Sequence, residues 1–293
     1  MTRILVTGAS GKLGSAVLTH LLDDRKFTPS DIVAASRDPA KLSDWAAKGV
    51  ETRRADFDDA ESLSAAFAGI DRLLLISTDE LAHPGKRLQQ HQAAISAAVA
   101  AGVGHILYTS MPNPDRSLVS FAPDHLGTEQ AIRESGLAFT IIRNSWYIDN
   151  YLMGMPHNLQ AGVWYTGMGD GRVSNISRDD CARAAAAALA APPQGNTTLT
   201  LTGSETLGAD EIAAAVSNAA GKPLKVVRAS NEDLAAGVKG AGMPDFVVDL
   251  VVSTDANIRA GNFDLVTSDF ETLTGGKPQS VADFLRQHSA ELG

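Results

Sequence analysis

The apolar residues of this chain fall into short continuous runs separated by stretches of helical spacing. Ile4-Leu5-Val6 is the first such run, and Ala16 to Leu22 follows it at a helical period. Ile32 to Ser36 is a second strand, with a helix after it from about Pro39. Val50 to Arg54 is a third strand, and Asp59 to Ala68 a short helix capped by Asp58 or Asp59. Leu73 to Ile76 is the most apolar strand. Lys86 to Ala101 is a long helix ended by Gly102, and His105 to Ser110 a fifth strand. Asp124 to Ser135 is a helix closed by Gly136, and Phe139 to Arg143 a sixth strand. Continuous rather than alternating strands suit a parallel sheet covered on both faces. Strand alternating with helix predicts an α/β, doubly wound sheet with its ligand at the carboxyl ends of the strands.

The second half has a different pattern. Asp149 to Gln160 is helical and Thr166 to Gly171 is a glycine-rich turn. Arg178 to Ala191 is an Ala-rich helix stopped by Pro192-Pro193, and Thr197 to Leu201 is a β-prone segment expected to rejoin the sheet. From Gly208 onward the pattern is mainly helical, broken at Gly221-Lys222-Pro223, Gly240 to Pro244 and Gly275 to Pro278. The expected organisation is a dinucleotide-binding domain over 1–150 and a smaller, mainly helical lobe over 151–293. Residues 163–201 would partly return to the sheet, and the lobe is expected over its carboxyl edge.

The first strand runs directly into Thr7-Gly8-Ala9-Ser10-Gly11-Lys12-Leu13-Gly14. Glycines between a strand and a helix are the context of a dinucleotide fingerprint in a Rossmann fold. Gly8 permits the tight turn, Gly11 lets backbone approach a pyrophosphate, and Gly14 lets helix and strand pack closely. The first N–H groups of the helix lack intrahelical acceptors and face the phosphates at the positive end of its dipole. At the end of the second strand NAD enzymes usually carry an acid for the ribose 2′-hydroxyl. Here Ser36-Arg37 stands instead, and a guanidinium suits the 2′-phosphate of NADP. The alternative is a surface arginine paired with Asp38. Lys12 either adds charge beside the phosphates or is a solvated lysine. Asp56-Phe57, after the third strand, falls where this fold borders the adenine.

Composition narrows the function. The 293 residues are 44% hydrophobic and 20% charged, enough for a sizeable core. The net charge of −9 argues against a nucleic-acid partner, which needs a basic face. The one cysteine, Cys181, excludes an internal disulfide and reads as a small core residue. No segment approaches a membrane span, and Met1 leads straight into the first strand without a secretory leader, so a cytoplasmic protein is expected. The seven histidines include no His-x-x-x-His pair, and no metal site is expected. Nor is there a Tyr-x-x-x-Lys pair: four residues after Tyr108, Tyr147, Tyr151 and Tyr165 stand Pro112, Tyr151, Met155 and Gly169.

The glycine turn, Ser36 to Lys41, Ala55-Asp56-Phe57, Leu73 to Ser77, Tyr108-Thr109-Ser110 and Arg143-Asn144-Ser145-Trp146-Tyr147 occur in this order. Together they resemble the NmrA-like group of atypical short-chain dehydrogenases/reductases, and within it bacterial NADPH-dependent quinone oxidoreductases and triphenylmethane dye reductases. The resemblance spans nearly the whole chain. It implies NADPH as cofactor and a site made by Gly8 to Gly14, Arg37, Asp56-Phe57, Ile76-Ser77-Thr78, Thr109 and Arg143-Asn144, with Asp170 approaching from the second lobe. It implies a small acceptor, a quinone or a dye, and leaves room for a homodimer. Regulators that sense NADP without turnover belong to the same group. Related chains carry a lysine four residues before a glutamate on the fifth helix. Counting back from Glu129 gives His125 here, either a proton donor or a structural residue at the helix start. Asn144 and Tyr147, just past the sixth strand, are candidates to hold an acceptor carbonyl.

Overall fold

The protein is described here from a computed structural model covering residues 2–23, 27–192 and 195–293. Met1 and Pro193, which entered the expectations above, lie outside the described residues. The strands are β1 (Ile4–Val6), β2 (Ile32–Ser36), β3 (Glu51–Arg54), β4 (Arg72–Leu75), β5 (His105–Ser110), β6 (Ala138–Asn144), β7 (Val163–Thr166), β8 (Thr197–Leu201) and β9 (Lys225–Arg228). The helices of the first half are α1 (Lys12–Asp23), α2 (Ser43–Ala47), α3 (Ala60–Phe67), α4 (Lys86–Ala100) and α5 (Ala122–Glu134). They are followed by α6 (Tyr151–Ala161) and α7 (Arg178–Ala190). Beyond β8 come α8 (Ala209–Ala220), α9 (Asn231–Gly240), α10 (Asp245–Arg259), α11 (Asp269–Thr274) and α12 (Val281–Gln287).

The chain divides into two compact units, and the division is not a single cut near residue 150. One unit holds Met1–Met111, Asp124–Arg143 and Asp179–Leu199; the other holds Pro112–Pro123, Asn144–Arg178 and Thr200–Gly293. The two are of comparable size.

The first unit is built on a sheet of order β3-β2-β1-β4-β5-β6-β8, with parallel pairing from β3 through β6. The order 3-2-1-4-5-6 is that of a Rossmann sheet, and its switch point lies between β1 and β4. Both faces are covered, which is why the strands read as unbroken apolar runs. Leu5, Val33, Leu73, Leu75, Ile106, Tyr108 and Ile141 point into one buried cluster with Leu63 and Phe67 of α3 and Ile95 of α4. Their strand neighbours Ile4, Val6, Ile32, Leu74, Leu107 and Ile142 are equally buried on the other face. Asp59 caps α3 by accepting from the Glu61 and Ser62 amides. Arg72 reaches across to the Leu189 and Ala191 carbonyls at the end of α7, and Cys181 of that helix is buried. Thr197–Leu201 joins the sheet beside β6, as its composition predicts.

The second unit is more mixed than its pattern implies. Val163–Thr166 and Lys225–Arg228 form a two-stranded parallel sheet whose strands lie far apart in sequence. Lys225–Arg228 has only two central apolar residues between charged ones, too short a run to declare a strand. The glycine-rich turn is explained by packing: a Cβ at Gly171 would lie 2.3 Å from the Ile258 carbonyl oxygen at the end of α10. Asp255, half-buried on α10, accepts from the Gly167 amide and the Thr166 hydroxyl at 2.7 and 2.9 Å. Burial pushes its carboxyl above the usual range.

Candidate dinucleotide site

The turn after β1 is held from three sides. Gly8 has φ +58°, a left-handed conformation that glycine adopts without strain. The Ala9 amide donates to the Ala35 carbonyl, fastening the turn to β2, and the Gly11 amide closes on the Gly8 carbonyl at 2.9 Å. A Cβ on Gly14 would stand 2.4 Å from the Gly8 oxygen, so the helix begins in contact with the turn only because residue 14 is glycine. A Cβ on Gly11 would meet the same oxygen at 3.2 Å. The amides of Lys12, Leu13 and Gly14, in the first turn of α1, have no intrahelical acceptor. Gly8, Ser10, Gly11 and Lys12 are exposed. The result is an open cradle of backbone donors at a positive helix end, located at the switch point of the sheet, and it fits a pyrophosphate.

The ends of the neighbouring strands are tied to this turn by hydroxyls. The buried Thr7 hydroxyl donates to the Leu74 carbonyl and accepts from the Ile76 amide. Ser10 and Ser36 join hydroxyl to hydroxyl at 2.9 Å. Arg37, just past β2, is 70% exposed and pairs at 3.6 Å with Asp79 rather than with Asp38. Asp38 instead caps the Pro39–Leu42 turn through the Ala40 amide. Asp56 accepts from the Asp58 amide and pairs with Arg54, and Phe57 packs its ring partly against the core. Thr109 of β5 accepts from the Ser77 amide at 2.9 Å. Sequence reasoning left out Thr7, Ser36 and Asp79. Thr7 and Ser36 lie inside the quoted motifs, but nothing local shows which hydroxyls bridge strands.

Arg143 is committed within the protein. Its guanidinium donates twice to Glu129, at 2.9 and 2.7 Å, and Ser110 and Arg133 supply two further donors to that carboxylate, which is only 2% exposed. Four donors around one buried carboxylate make a satisfied site. Arg143 therefore braces α5 against β5 and β6.

His125 lies in a second buried group. Its Nε2 accepts from Arg87 at 3.0 Å, which places its proton on Nδ1, 2.8 Å from the Tyr108 hydroxyl. Burial, helped by Arg87 and then by His91, holds the imidazole neutral, its pKa well below the ordinary value. Burial likewise pushes the Tyr108 phenol up. Tyr108 is wholly buried in the core face of the sheet. That face, not the carboxyl edge, is where alternation along β5 sends residue 108.

In the second unit Asn144 is 7% exposed and donates through Nδ2 to the Tyr147 hydroxyl at 3.0 Å, while its Oδ1 is buried with no partner. Amide orientation is an assignment, but either way one end is tied to Tyr147 and the other has no protein partner. The Arg178 guanidinium lies 5.0 Å over the Tyr147 ring and is fixed by Asp149. Trp146 packs against Phe263. The Asp170 carboxylate is fully exposed, 3.7 Å from Arg228. Among the described residues no cluster of His, Cys, Asp and Glu has the form of a metal site, and no helix is long and apolar enough to cross a membrane.

The chain is similar to known proteins along its whole length. Quinone oxidoreductase 2 of Escherichia coli is 37% identical over 280 residues, 96% of each chain. Its structure with NADPH superposes with a TM-score of 0.92 over 97% of this chain and 99% of that one. NAD(P)H azoreductase of Xenophilus azovorans is 31% identical over 295 residues, 99% of each chain. The triphenylmethane reductase of a Citrobacter species, solved with NADP(H), is 32% identical with a TM-score of 0.91, over 98% of this chain and 99% of that one. The NmrA-like family matches residues 1–268, and with relatives above 30% identity along the full length, the chain belongs to the NmrA-like family.

Proposed function

We propose that the protein is an NADPH-dependent reductase that passes hydride to a small conjugated acceptor, most readily a quinone. The observation that carries this reading is the open cradle of Gly8 to Gly14 at the β1/β4 switch point, with Arg37 beside it. Relatives that reduce quinones, azo compounds and dyes support it along the whole chain. When bound, NADPH supplies the hydride. The first-turn amides of α1 hold the pyrophosphate, Arg37 takes the 2′-phosphate, and Asp56 and Phe57 border the adenine. Ile76, Ser77, Thr78 and Thr109 line the dinucleotide. Arg143 serves by bracing β6 through Glu129, so that Asn144 follows at a fixed place.

Asn144 is the orienting group. Its unpartnered amide end accepts a hydrogen bond from the nicotinamide carboxamide N–H or, with the amide turned over, donates one to the acceptor carbonyl, and Tyr147 fixes its rotamer. Proximity and orientation are the main contribution, because a quinone is electrophilic enough to accept hydride before a proton. Neutral, buried His125 is a structural partner of Tyr108 rather than an acid. The same reading places the protein in the cytoplasm, and sedimentation of the purified protein decides between monomer and homodimer.

The test is steady-state NADPH oxidation against a panel of quinones and cationic dyes. Turnover strongest with quinones is expected. NADPH binding without turnover of any acceptor would instead establish a redox-sensing protein.

A further inference from the structure

The segment after β4 is anchored in an unusual way. Three consecutive backbone amides are each accepted by a side chain from a different element. Ile76 donates to Thr7 after β1 at 2.9 Å, Ser77 to Thr109 of β5 at 2.9 Å, and Thr78 to Nε2 of His91 on α4 at 3.0 Å. An edge of three amides spent in this way cannot turn toward a ligand, but the Thr78 side chain is different. Its hydroxyl oxygen is buried and has no partner in the protein. A buried hydroxyl without a partner destabilises the structure unless something satisfies it.

His91 is wholly buried, and both its ring nitrogens are committed. Because Nε2 accepts from Thr78, the ring proton is on Nδ1, which donates to the Thr128 hydroxyl at 2.8 Å. Thr128 in turn donates to the Asp124 carbonyl at 2.6 Å, one turn earlier in α5. The edge of the His91 ring packs against Tyr108, with centroids 5.6 Å apart. The imidazole is thus a rigid spacer running from α5 to the end of β4. A leucine at this position would fill the space and leave the Thr78 amide without its acceptor.

We infer that His91 is a positioning residue of the dinucleotide site: it fixes the main chain of Thr78 so that the Thr78 hydroxyl meets bound NADPH. This rests on the reading that the segment after β4 lines the cofactor. His91 itself touches no ligand and acts through Thr78.

The test is a double-mutant cycle read by NADPH fluorescence titration and by the split between KM and kcat. Thr78→Val removes the hydroxyl and keeps the shape; His91→Leu removes the acceptor. Each is expected to raise Kd and KM for NADPH about five- to ten-fold, the scale of one hydrogen bond, with the change in KM exceeding any change in kcat. The double variant should be no weaker than either single one, because His91 acts only through Thr78. His91→Gln, whose amide oxygen reaches the Nε2 position, should restore wild-type affinity. If His91→Leu does not fold, His91→Asn, which reaches Thr128 but falls short of Thr78, takes its place with the same expectation. Wild-type affinity in the Leu or Asn variant, or losses that multiply in the double variant, would overturn the inference alone. A wild-type chain that binds no NADPH overturns the parent reading as well, and shows it before any variant is made.

Discussion

Replacing Arg37 with serine tests the cofactor assignment most directly. In the protein as it stands the guanidinium is 70% exposed and its nearest acid is Asp79 at 3.6 Å, itself 87% exposed. A pair that open to water contributes about 0–1 kcal/mol, so little holds Arg37 back from a phosphate. A charge-assisted contact to a 2′-phosphate is worth about 1.5–3 kcal/mol, and giving up Asp79 removes part of it. The net is about 1–2 kcal/mol, or roughly five- to thirty-fold in affinity. Arg37→Ser should therefore raise KM for NADPH about ten-fold while KM for NADH, which has no 2′-phosphate, stays within about two-fold. The reciprocal change sharpens the assay: Asp79→Asn frees the guanidinium and should lower KM for NADPH a few-fold at low salt, an effect that about 0.5 M salt suppresses, because exposed charges are screened at that ionic strength. Parallel titrations with both cofactors measure all of this. Equal losses with NADPH and NADH in Arg37→Ser would refute the reasoning, since a general loss means that residue 37 matters to the fold of the loop and not to the phosphate.

Gly11→Val should abolish NADPH binding while circular dichroism stays native, because its Cβ meets only the Gly8 oxygen at 3.2 Å; Gly14→Ala, at 2.4 Å from the same oxygen, should damage the fold itself. Tyr108→Phe should lower stability by about 1–2 kcal/mol, seen as a lower Tm, and leave kcat with a quinone nearly intact. Tyr147→Phe should lose less than about ten-fold in kcat, and Asn144→Ala more, about 1–3 kcal/mol, if orientation rather than proton donation is the chemistry. A hundred-fold loss in either tyrosine variant would make a phenol the acid. His91, held neutral by burial with its pKa lowered to about 3, and His125, lowered in the same direction, must both gain a proton on unfolding in acid. Their folded values lie below the unfolded ones, so the stability they contribute is complete above about pH 6.5 and is lost as pH falls toward 3. Tm should drop over that window, and His91→Gln should flatten the slope.

The local pattern determined most of the first unit. The strand from His105 to Ser110 and the one from Thr197 to Leu201 fall where their apolar and β-prone runs place them. The glycines at 8, 11 and 14 carry their meaning in sequence alone, since only residues without a side chain satisfy a left-handed turn and a helix start pressed against it. The place of Arg37 just past β2 was equally legible, because it is set by counting along the chain. Partners distant in sequence were not legible. Arg37 meets Asp79 instead of its neighbour Asp38, and Arg143 spends its guanidinium on Glu129. His125 reads equally as a proton donor or as a structural residue at the helix start, and only the fold brings Arg87 of α4 onto one nitrogen and Tyr108 of β5 onto the other. Val163–Thr166 pairs with Lys225–Arg228 across sixty residues that no local signal connects. The physical reason is the same in each case. Backbone conformation follows from short-range sterics and the period of burial, which neighbouring residues determine. The partner of a side chain and its protonation depend on which elements the packed sheet and helices bring within 3 Å, and that is decided only when the chain has folded.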